Sequence, residues 1–275
     1  MNRKAISIHS SRGGTGKTLI ATNLAAILAS RGNNVALLDL DFRAPSLSTV
    51  FAKGIQEPVK CWLNDFLNGQ CTAEQTMIDV SAKFNLKGRL LIGLANPSMK
   101  AIRNIIEKSR AWEVTAVKKV FSLLSSLFND MNVDCCIFDT SPGVQYSSIN
   151  AAVGSDVSVI VTSLDTLDLK GTENMLEELY DALAKKTVVL VNKFSPEMRI
   201  KSDENQGALI ERVEKMLKHP VIGVIPCYCD VLQSERTSVL AFEKPNHPFV
   251  GKLVEVVEKL EDFAKTNLEE EFVEK

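Results

Sequence analysis

The sequence predicts a single α/β domain in three layers, with a mostly parallel sheet covered by helices on both faces. Runs of valine, isoleucine and leucine recur along the whole chain without polar alternation, which is typical of strands buried on both faces. Segments with helical apolar spacing separate these runs. No repeat, linker or low-complexity stretch divides the chain. Residues 1–268 are therefore predicted to form one domain, followed by an acidic tail at 269–275.

The elements follow in order along the chain. Strands are predicted at Ala5–His9, Val35–Leu40, Leu90–Leu94, Val133–Phe138, Val157–Thr162, Val188–Val191 and Val221–Ile225. Helices are predicted at 19–30, 111–130, 168–185, 203–218 and 249–266, with short helices over 61–79. Gly32 ends the first helix. The last helix has apolar residues on one face and is predicted to dock on the domain.

The bulk composition is that of a globular protein. The 275 residues are 45% hydrophobic and 24% charged, with a net charge of −2, so no global attraction to nucleic acid or to an anionic membrane is expected. The charge is distributed unevenly along the chain. Residues 83–119 hold nine Lys/Arg and two acidic residues, whereas residues 252–275 hold four basic and eight acidic residues. The basic block is either a solvated surface or a surface for an anionic partner.

The sequence predicts a cytoplasmic protein. The N-terminus lacks the pattern of a signal peptide, and no apolar stretch has the length of a membrane span. Six cysteines are too few for a disulfide scaffold in a chain of this length. Cys135 and Cys136 lie in an apolar run and are predicted to be small buried hydrophobic residues.

The segment from Ser11 to Thr18, Ser-Arg-Gly-Gly-Thr-Gly-Lys-Thr, has the composition of a phosphate-binding loop. Glycines allow several backbone N–H groups to approach one oxyanion, and the helix that follows adds the positive end of its dipole. Lys17 is suited to the β- and γ-phosphates and Thr18 to Mg²⁺. The first glycine of the common pattern is replaced by Ser11, but the loop still lies between a predicted strand and a predicted helix.

The segment resembles the deviant phosphate loop xKGGxxK[ST] of the ParA/MinD superfamily, which includes partition and division-site ATPases, the nitrogenase iron protein and arsenite-pump ATPases. The resemblance implies a P-loop fold, ATP and Mg²⁺ as cofactors, and a homodimer in the ATP state that encloses two nucleotides. Arg12 stands where the family has its signature lysine. Its guanidinium keeps the charge, so it is expected either to act in trans on the partner's phosphates or to pair with a local carboxylate.

Three further segments follow in the order typical of this family. Asp39 and Asp41 end an apolar strand and are expected to point to the same side of it. By the resemblance, Asp41 orients the attacking water and Asp39 supports the Mg²⁺ environment. Asp139 ends another apolar strand, before Thr-Ser-Pro-Gly, and resembles the family's Walker B aspartate, which holds a water of the Mg²⁺ shell; Gly143 gives the next loop freedom.

The adenine side of the site is predicted from Asn192, whose amide offers a donor and an acceptor together. Ser195 occupies the place of the aspartate in the GTPase motif NKxD, which favours ATP over GTP. By resemblance, Pro226 and Tyr228 are candidates for packing on the base. The predicted nucleotide-binding residues are Gly13, Gly14, Thr15, Gly16, Lys17, Thr18, Leu19, Asn192, Pro226 and Tyr228. Lys17, Asp41 and Arg12 are the predicted catalytic residues, and Thr18, Asp39 and Asp139 the predicted metal-site residues.

The resemblance favours a Mg²⁺-dependent ATPase that uses ATP-driven dimerisation to position or partition a cargo. Alternatives are a metal-cluster or metal-centre assembly ATPase, which would use Cys227 and Cys229 between two chains, and a scaffold that binds ATP without hydrolysing it. The stretch from Asp39 to Pro45 also resembles bacterial tyrosine kinases, but the chain lacks their terminal tyrosine cluster.

The partners are only partly predictable. Non-specific DNA is a possible partner of basic residues on the surface, and the cargo or activating protein is unknown. The candidate DNA-binding residues are Lys100, Arg103, Lys108, Arg110, Lys118, Lys119, Arg199 and Lys201. No direct membrane binding is expected, because the acidic C-terminus differs from the basic amphipathic helix of division-site ATPases. Asp165, Asp168 and Lys170 are candidates for the dimer face.

Overall fold

Eight strands form one sheet in the order β3-β4-β2-β5-β1-β6-β7-β8. The structure is a computed structural model that describes residues 3–195, 206–233 and 237–273, and the side chains among these up to residue 263. The strands are β1 Lys4–His9, β2 Val35–Leu40, β3 Met77–Asp79, β4 Leu90–Gly93, β5 Cys135–Thr140, β6 Val157–Thr162, β7 Thr187–Phe194 and β8 Val221–Pro226. Every neighbouring pair is parallel except β3 and β4. The predicted three-layer fold is confirmed.

Helices cover both faces of this sheet. They are α1 Lys17–Ser30, α2 Leu47–Val50, α3 Leu63–Leu67, α4 Met99–Ile106, α5 Arg110–Asn129, α6 Tyr146–Gly154, α7 Thr166–Met175, α8 Gln206–Leu217, α9 Cys229–Gln233, α10 Leu240–Glu243 and α11 Pro248–Val273. A π-helical turn, Leu176–Asp181, continues α7. The predicted helix over 168–185 is thus an α-helix that widens into a π turn, a feature that often accompanies functional sites.

The two faces of the sheet bury alternate residues of each strand, because successive side chains of a strand point to opposite sides. On β2, Leu37 packs with α1 and α11, whereas Leu38 packs with α3 and α5. On β5, Ile137 lies on the same face as Leu37, and Phe138 lies on the same face as Leu38. Both sides are apolar, which explains why the strands have no polar alternation in the sequence. The parallel strands end at one edge of the sheet, and the loops at that edge form the site described below.

Several elements differ from the sequence-based expectation. Residues 77–79 form an antiparallel edge strand and were predicted to be helical, because three residues are too few to show a period. Helices α4 and α6 were not predicted. The final helix extends to Val273, beyond its predicted end at 266 and into the segment 269–275 that is predicted to be an acidic tail.

The cysteines divide into two groups. Cys135 and Cys136 are fully buried, as predicted, and burial raises the pKa of the Cys135 thiol to about 12. Cys61 and Cys71 are joined as a disulfide with their Cα atoms 6.6 Å apart. One bridge across ten residues does not make a disulfide scaffold. Among the described residues, no helix has both the length and the low charge needed to cross a membrane.

Candidate active site

The loop between β1 and α1 has the geometry of an anion site. Gly14 and Gly16 have φ values of 84° and 101°, which favour glycine. Gly16 precedes the first residue of α1 and offers no side chain to cap it, so the first amides of the helix remain available to a ligand. A Cβ on Gly16 would also lie 2.5 Å from Nδ2 of Asn192, so this position is closed to larger residues.

Lys17 is a buried cation at the base of this loop. Its Nζ donates a hydrogen bond to Ser10 Oγ at 2.9 Å, and the residue is 7% exposed. Burial lowers the pKa of Lys17, while the carboxylates of Asp139, Asp41 and Asp168 oppose that shift. A buried ammonium bonded to a neutral hydroxyl, beside available helix amides, is suited to phosphate.

Asp139 and Thr18 form the second part of the site. Thr18 Oγ1 donates to Asp139 Oδ2 at 2.6 Å. Oδ1 of Asp139 is buried and has no hydrogen-bond partner among the described residues. Burial raises the pKa of this carboxyl to about 7. An orphaned carboxylate oxygen next to a threonine hydroxyl is the donor set that Mg²⁺ takes together with nucleotide phosphates, so the residues fit the predicted cation.

The two aspartates at the end of β2 have different surroundings. Asp39 is fully buried, and its oxygens accept the main-chain N–H groups of Asp41, Ser46 and Leu47 at 3.1–3.2 Å. Burial, then the nearby Asp139, raises the pKa of Asp39 well above its usual range. Asp41 lines the cavity, and its Oδ1 accepts from Ser141 Oγ at 2.7 Å. Asp39 therefore organises the loop that follows β2, and Asp41 is the carboxylate that a ligand can reach.

A cavity of about 720 Å³ lies above these residues. Seven predicted residues line it, namely Gly13, Gly14, Gly16, Lys17, Thr18, Leu19 and Asp41. Its far wall was not predicted and comprises Pro45, Thr49, Val50, Val231, Leu232 and Leu240. Apolar walls opposite a phosphate loop are suited to a purine. These residues come from short loops and single-turn helices, which carry no periodic pattern in the sequence.

The predicted adenine-side residues lie elsewhere. Asn192 is 4% exposed and donates through Nδ2 to the carbonyl of Thr15 at 2.7 Å, beneath the phosphate loop. Tyr228 packs edge-on against His247 and Phe249, with ring centroids 5.3 and 6.2 Å away. Neither residue lines the cavity, and neither does Pro226. Asn192 thus braces the loop in this structure, and its contact with a base stays a prediction.

Arg12 points away from its own cavity. Its Nη1 lies 3.7 Å from Oδ1 of Asp165, and both side chains are about half exposed. Asp165 caps α7 by accepting the N–H groups of Leu167 and Asp168. An ion pair this exposed contributes little stability, so Arg12 is held only weakly.

Ser11, which replaces the first glycine of the common motif, contacts α7 closely. Its Oγ lies 3.2 Å from Thr172 Oγ1 and donates to the Asp168 carbonyl at 3.4 Å. The helix can approach because residue 171 is glycine, where an added Cβ would lie 3.1 Å from Ser11 Oγ. Ser11 and Gly171, both small, therefore allow the phosphate loop and α7 to pack closely against each other.

His9 is a site residue that the sequence analysis missed. It ends β1, directly before the phosphate loop, and is fully buried. Its Nε2 lies 2.9 Å from the Gly143 carbonyl and its Nδ1 lies 2.6 Å from the Tyr180 hydroxyl. Burial lowers its pKa to about 4. A histidine inside an apolar strand was the available signal, but its partners are 134 and 171 residues away in sequence.

The buried His9 should make the protein less stable in acid. The unfolded chain binds a proton near pH 6.5 and the folded chain only near pH 4, so stability falls as the pH drops through this window. The expected loss in the free energy of unfolding is roughly 3 kcal/mol. Asp39 and Asp139 have raised pKa values, and their protonation acts in the opposite direction. We therefore expect the stability advantage of wild type over His9→Gln in urea unfolding to shrink by that amount between pH 7.5 and 4. An advantage independent of pH would contradict the prediction.

A second cavity, of about 340 Å³, lies between α4, α5 and α6. Its walls include Trp112, Phe42 and Tyr146, and Arg43 and Gln145 line both cavities. Within the described ranges, no group of three or more His, Cys, Asp or Glu side chains is placed to hold a metal ion. Cys227 and Cys229 are free thiols.

Comparison with known proteins agrees with this geometry. Residues 6–238 match the CobQ/CobB/MinD/ParA nucleotide-binding domain. A putative septum site-determining protein MinD of Chlorella vulgaris is 26% identical over 247 residues, which cover 90% of this chain and 77% of that protein. MinD of Pyrococcus horikoshii, solved with Mg-ADP, superposes with a TM-score of 0.74 at 21% identity, covering 96% of this chain and 98% of that one. A protein of Borrelia burgdorferi described as a putative plasmid partition protein, solved with AMPPNP, superposes with a TM-score of 0.71 at 18% identity, covering 95% of this chain and 99% of that one.

Proposed function

Because this chain belongs to the CobQ/CobB/MinD/ParA nucleotide-binding family, we propose that it is a Mg²⁺-dependent ATPase that dimerises when it binds ATP. The observation that carries the proposal is the convergence of Lys17, the Thr18–Asp139 pair and Asp41 at one end of a cavity large enough for a nucleotide. The cycle of dimer formation and hydrolysis times the attachment of a cargo.

Each residue has a role that its surroundings support. The amides of the phosphate loop and Lys17 bind the phosphates, since they present donors and positive charge. Thr18 and Asp139 would hold Mg²⁺, which would neutralise charge on the phosphate oxygens. Asp41 orients the attacking water, because it lines the cavity and Ser141 fixes its carboxylate. Arg12 of the second chain completes the site.

ATP is the proposed nucleotide. The residue three positions after Asn192 is Ser195, so the aspartate of the GTPase specificity motif is missing. The far wall of the cavity offers apolar contacts through Val231 and Leu240, which are compatible with adenine. Competition binding should show ATP displacing a labelled nucleotide at lower concentration than GTP.

Asp41→Ala is expected to trap the ATP-bound dimer. The variant loses the carboxylate that orients water, so hydrolysis should slow at least about 100-fold while ATP still binds. Mass measurement should give a species near the 30.3 kDa of one chain with ADP and twice that with ATP, and the variant should remain dimeric for longer.

The matched control is Asp230→Ala, which removes a carboxylate from the opposite wall of the same cavity. Its turnover and dimer lifetime should equal those of wild type. A chain that stays monomeric with ATP and does not hydrolyse it would support the alternative of a non-hydrolysing scaffold. The metal-assembly alternative requires Cys227 and Cys229 to bind metal between two chains; a dimer mass that is unchanged by their replacement with serine argues against it.

Non-specific DNA binding is proposed for the basic surface around α4 and α5. Lys100, Arg103, Arg110 and Lys118 are exposed, whereas Lys108 and Lys119 lie over the rings of Trp112 and Phe66. Arg199 and Lys201 lie outside the described residues. A gel shift with ATP should show binding that weakens steeply between 50 and about 200 mM salt. No shift at low salt excludes DNA, and sedimentation with anionic vesicles would contradict the expected lack of membrane binding.

A further inference from the structure

A chain of buried hydrogen bonds links the turn after β5 to α7. It begins at the Gly143 carbonyl, passes through both ring nitrogens of His9 and reaches the Tyr180 hydroxyl in the π turn. Ser158 forms a side-chain hydrogen bond with Tyr180, and Ser7 Oγ lies 2.8 Å from Ser158 Oγ. Apart from these groups and Thr162, the buried side chains of β1 and β6 are apolar.

The direction of each bond follows from its partners. A carbonyl only accepts, so His9 must carry its proton on Nε2 to bond Gly143. Nδ1 is then an acceptor, and Tyr180 must donate to it. Burial lowers the pKa of His9 and raises that of Tyr180, so both groups stay neutral at physiological pH. The Gly143 carbonyl therefore sets the tautomer of His9, and Tyr180 donates to the ring nitrogen that this tautomer leaves as an acceptor.

The Gly143 turn is held at several points near the proposed water-orienting carboxylate. The Gly143 N–H donates to the Ser10 carbonyl at 2.8 Å, and its carbonyl also accepts from Ser148 Oγ at 3.1 Å. Two residues earlier, Ser141 Oγ donates to Asp41. A shift of the Gly143 carbonyl is therefore expected to displace Ser141, whose hydroxyl fixes the Asp41 carboxylate.

The other end of the chain of bonds lies on the helix that holds Arg12. Helix α7 runs directly into the π turn that carries Tyr180, and its cap, Asp165, pairs with Arg12. Filling the same space with apolar side chains would avoid the cost of burying four polar side chains. The hydrogen bonds instead add specificity, because their geometry fixes one position of the Gly143 turn relative to α7.

We propose that His9 is a positioning residue for hydrolysis, which holds the Gly143 turn, and through Ser141 the Asp41 carboxylate, against α7 by way of Tyr180. The inference rests on the proposed ATPase function and adds to it a residue outside the phosphate loop and the acidic motifs. His9 touches neither the nucleotide cavity nor its lining carboxylates, so its effect falls on turnover more than on binding.

The test compares Tyr180→Phe, His9→Gln and His9→Leu with Ser155→Ala. The first removes one hydroxyl, and glutamine keeps an N–H near the position of Nε2, which leucine lacks. Ser155→Ala is the matched control, because it deletes a buried hydroxyl from the same network, 3.2 Å from Ser7 and Ser158, at the end away from Gly143. Four quantities are measured, namely kcat, KM for ATP, the ¹⁵N shifts of the His9 ring with ADP bound, and hydrogen exchange over 141–149.

Wild type should show the Nε2–H tautomer. Tyr180→Phe should keep it, because the Gly143 carbonyl still accepts from Nε2, but the ¹⁵N signal of Nδ1 should shift since this nitrogen loses its donor, and exchange over 141–149 should be faster. Its kcat should fall about tenfold with KM changed less than about threefold, because a small misplacement of an orienting group reduces turnover. His9→Gln should retain more turnover than His9→Leu. Ser155→Ala should leave turnover and exchange as in wild type.

Three results overturn the inference. They are an Nδ1–H tautomer in wild type, a Tyr180→Phe turnover within about twofold of wild type, and equal losses in Tyr180→Phe and Ser155→Ala. The last would mean that the network only stabilises the fold. If wild type hydrolyses no ATP, the proposed function fails, and the ¹⁵N shift of Nδ1 and the exchange rates still decide whether Tyr180 holds the turn. If one variant does not fold, the two remaining substitutions give the same comparison.

Discussion

Arg12→Ala is expected to lower kcat for ATP hydrolysis about 1,000-fold while ATP still binds. The Arg12 side chain lies outside the lining of its own cavity, half exposed and 3.7 Å from Asp165. In the proposed dimer, its guanidinium is expected to reach the partner's phosphates and to stabilise charge in the transition state.

Mixing two inactive variants tests whether Arg12 acts in trans. A dimer of Arg12→Ala with Asp41→Ala has one complete site, because the first chain keeps Asp41 and receives Arg12 from the second. Random pairing makes half the dimers mixed, so the mixture should recover about a quarter of wild-type turnover. If Arg12 acts within its own chain, no mixed dimer has a complete site and the mixture stays inactive.

Two further variants separate this role from the local ion pair. Asp165→Ala removes the partner of Arg12 and should leave turnover within about threefold of wild type, because exposed ion pairs contribute little. Arg12→Lys restores the residue typical of the family and should retain more activity than Arg12→Ala. An Asp165→Ala variant as inactive as Arg12→Ala would show that Arg12 matters only through the local pair.

Lys17→Ala is expected to weaken ATP binding on the order of 100-fold, because it removes a buried cation that pairs with phosphate. The loss also leaves Asp139 without its nearest positive charge in a buried site. Binding is measured by calorimetry with Mg-ATP, and folding by the near-ultraviolet circular dichroism of the same sample.

Lys193→Ala is the control for Lys17→Ala. Lys193 is a second lysine at the rim of the same cavity, where its Nζ donates to the Gly14 carbonyl. If the effect of Lys17 were only general attraction of the nucleotide, both variants would lose affinity equally. We expect Lys193→Ala to stay within about threefold of wild type, because its ammonium is exposed and screened.

Most of the fold was predictable from local patterns. Buried parallel strands are apolar on both faces, so β2 and β6 were placed with the bounds that the structure shows. Helix α5 has apolar residues at helical spacing over 20 residues, and its predicted bounds differ by one residue. Strand β3 was not predicted, because three residues paired antiparallel at an edge carry no periodic signal. The π turn depends on packing around Tyr180, which is fully buried.

The candidate site was predictable where it is continuous in sequence. Gly13 to Thr18, Asp41 and Asp139 follow strand ends, so their position at one edge of the sheet follows from the strand pattern. The base side of the cavity was not predictable, because Val231 and Leu240 come from short elements whose positions depend on the whole fold. The different surroundings of Asp39 and Asp41 were not predictable either. Strand β2 ends at Leu40, so the alternation of side chains along the strand does not extend to Asp41.

The close contact between Ser11 and Gly171 constrains which sequences this fold can adopt over evolutionary time. With serine at 11, a larger residue at 171 is disfavoured, because an added Cβ there would lie 3.1 Å from the serine hydroxyl and one of the two would have to shift. With glycine at 11 that hydroxyl is absent, so alanine at 171, which has the higher helical propensity, is easier to accommodate. Residue 11 of the phosphate loop and residue 171 of α7 are therefore expected to be substituted together rather than independently.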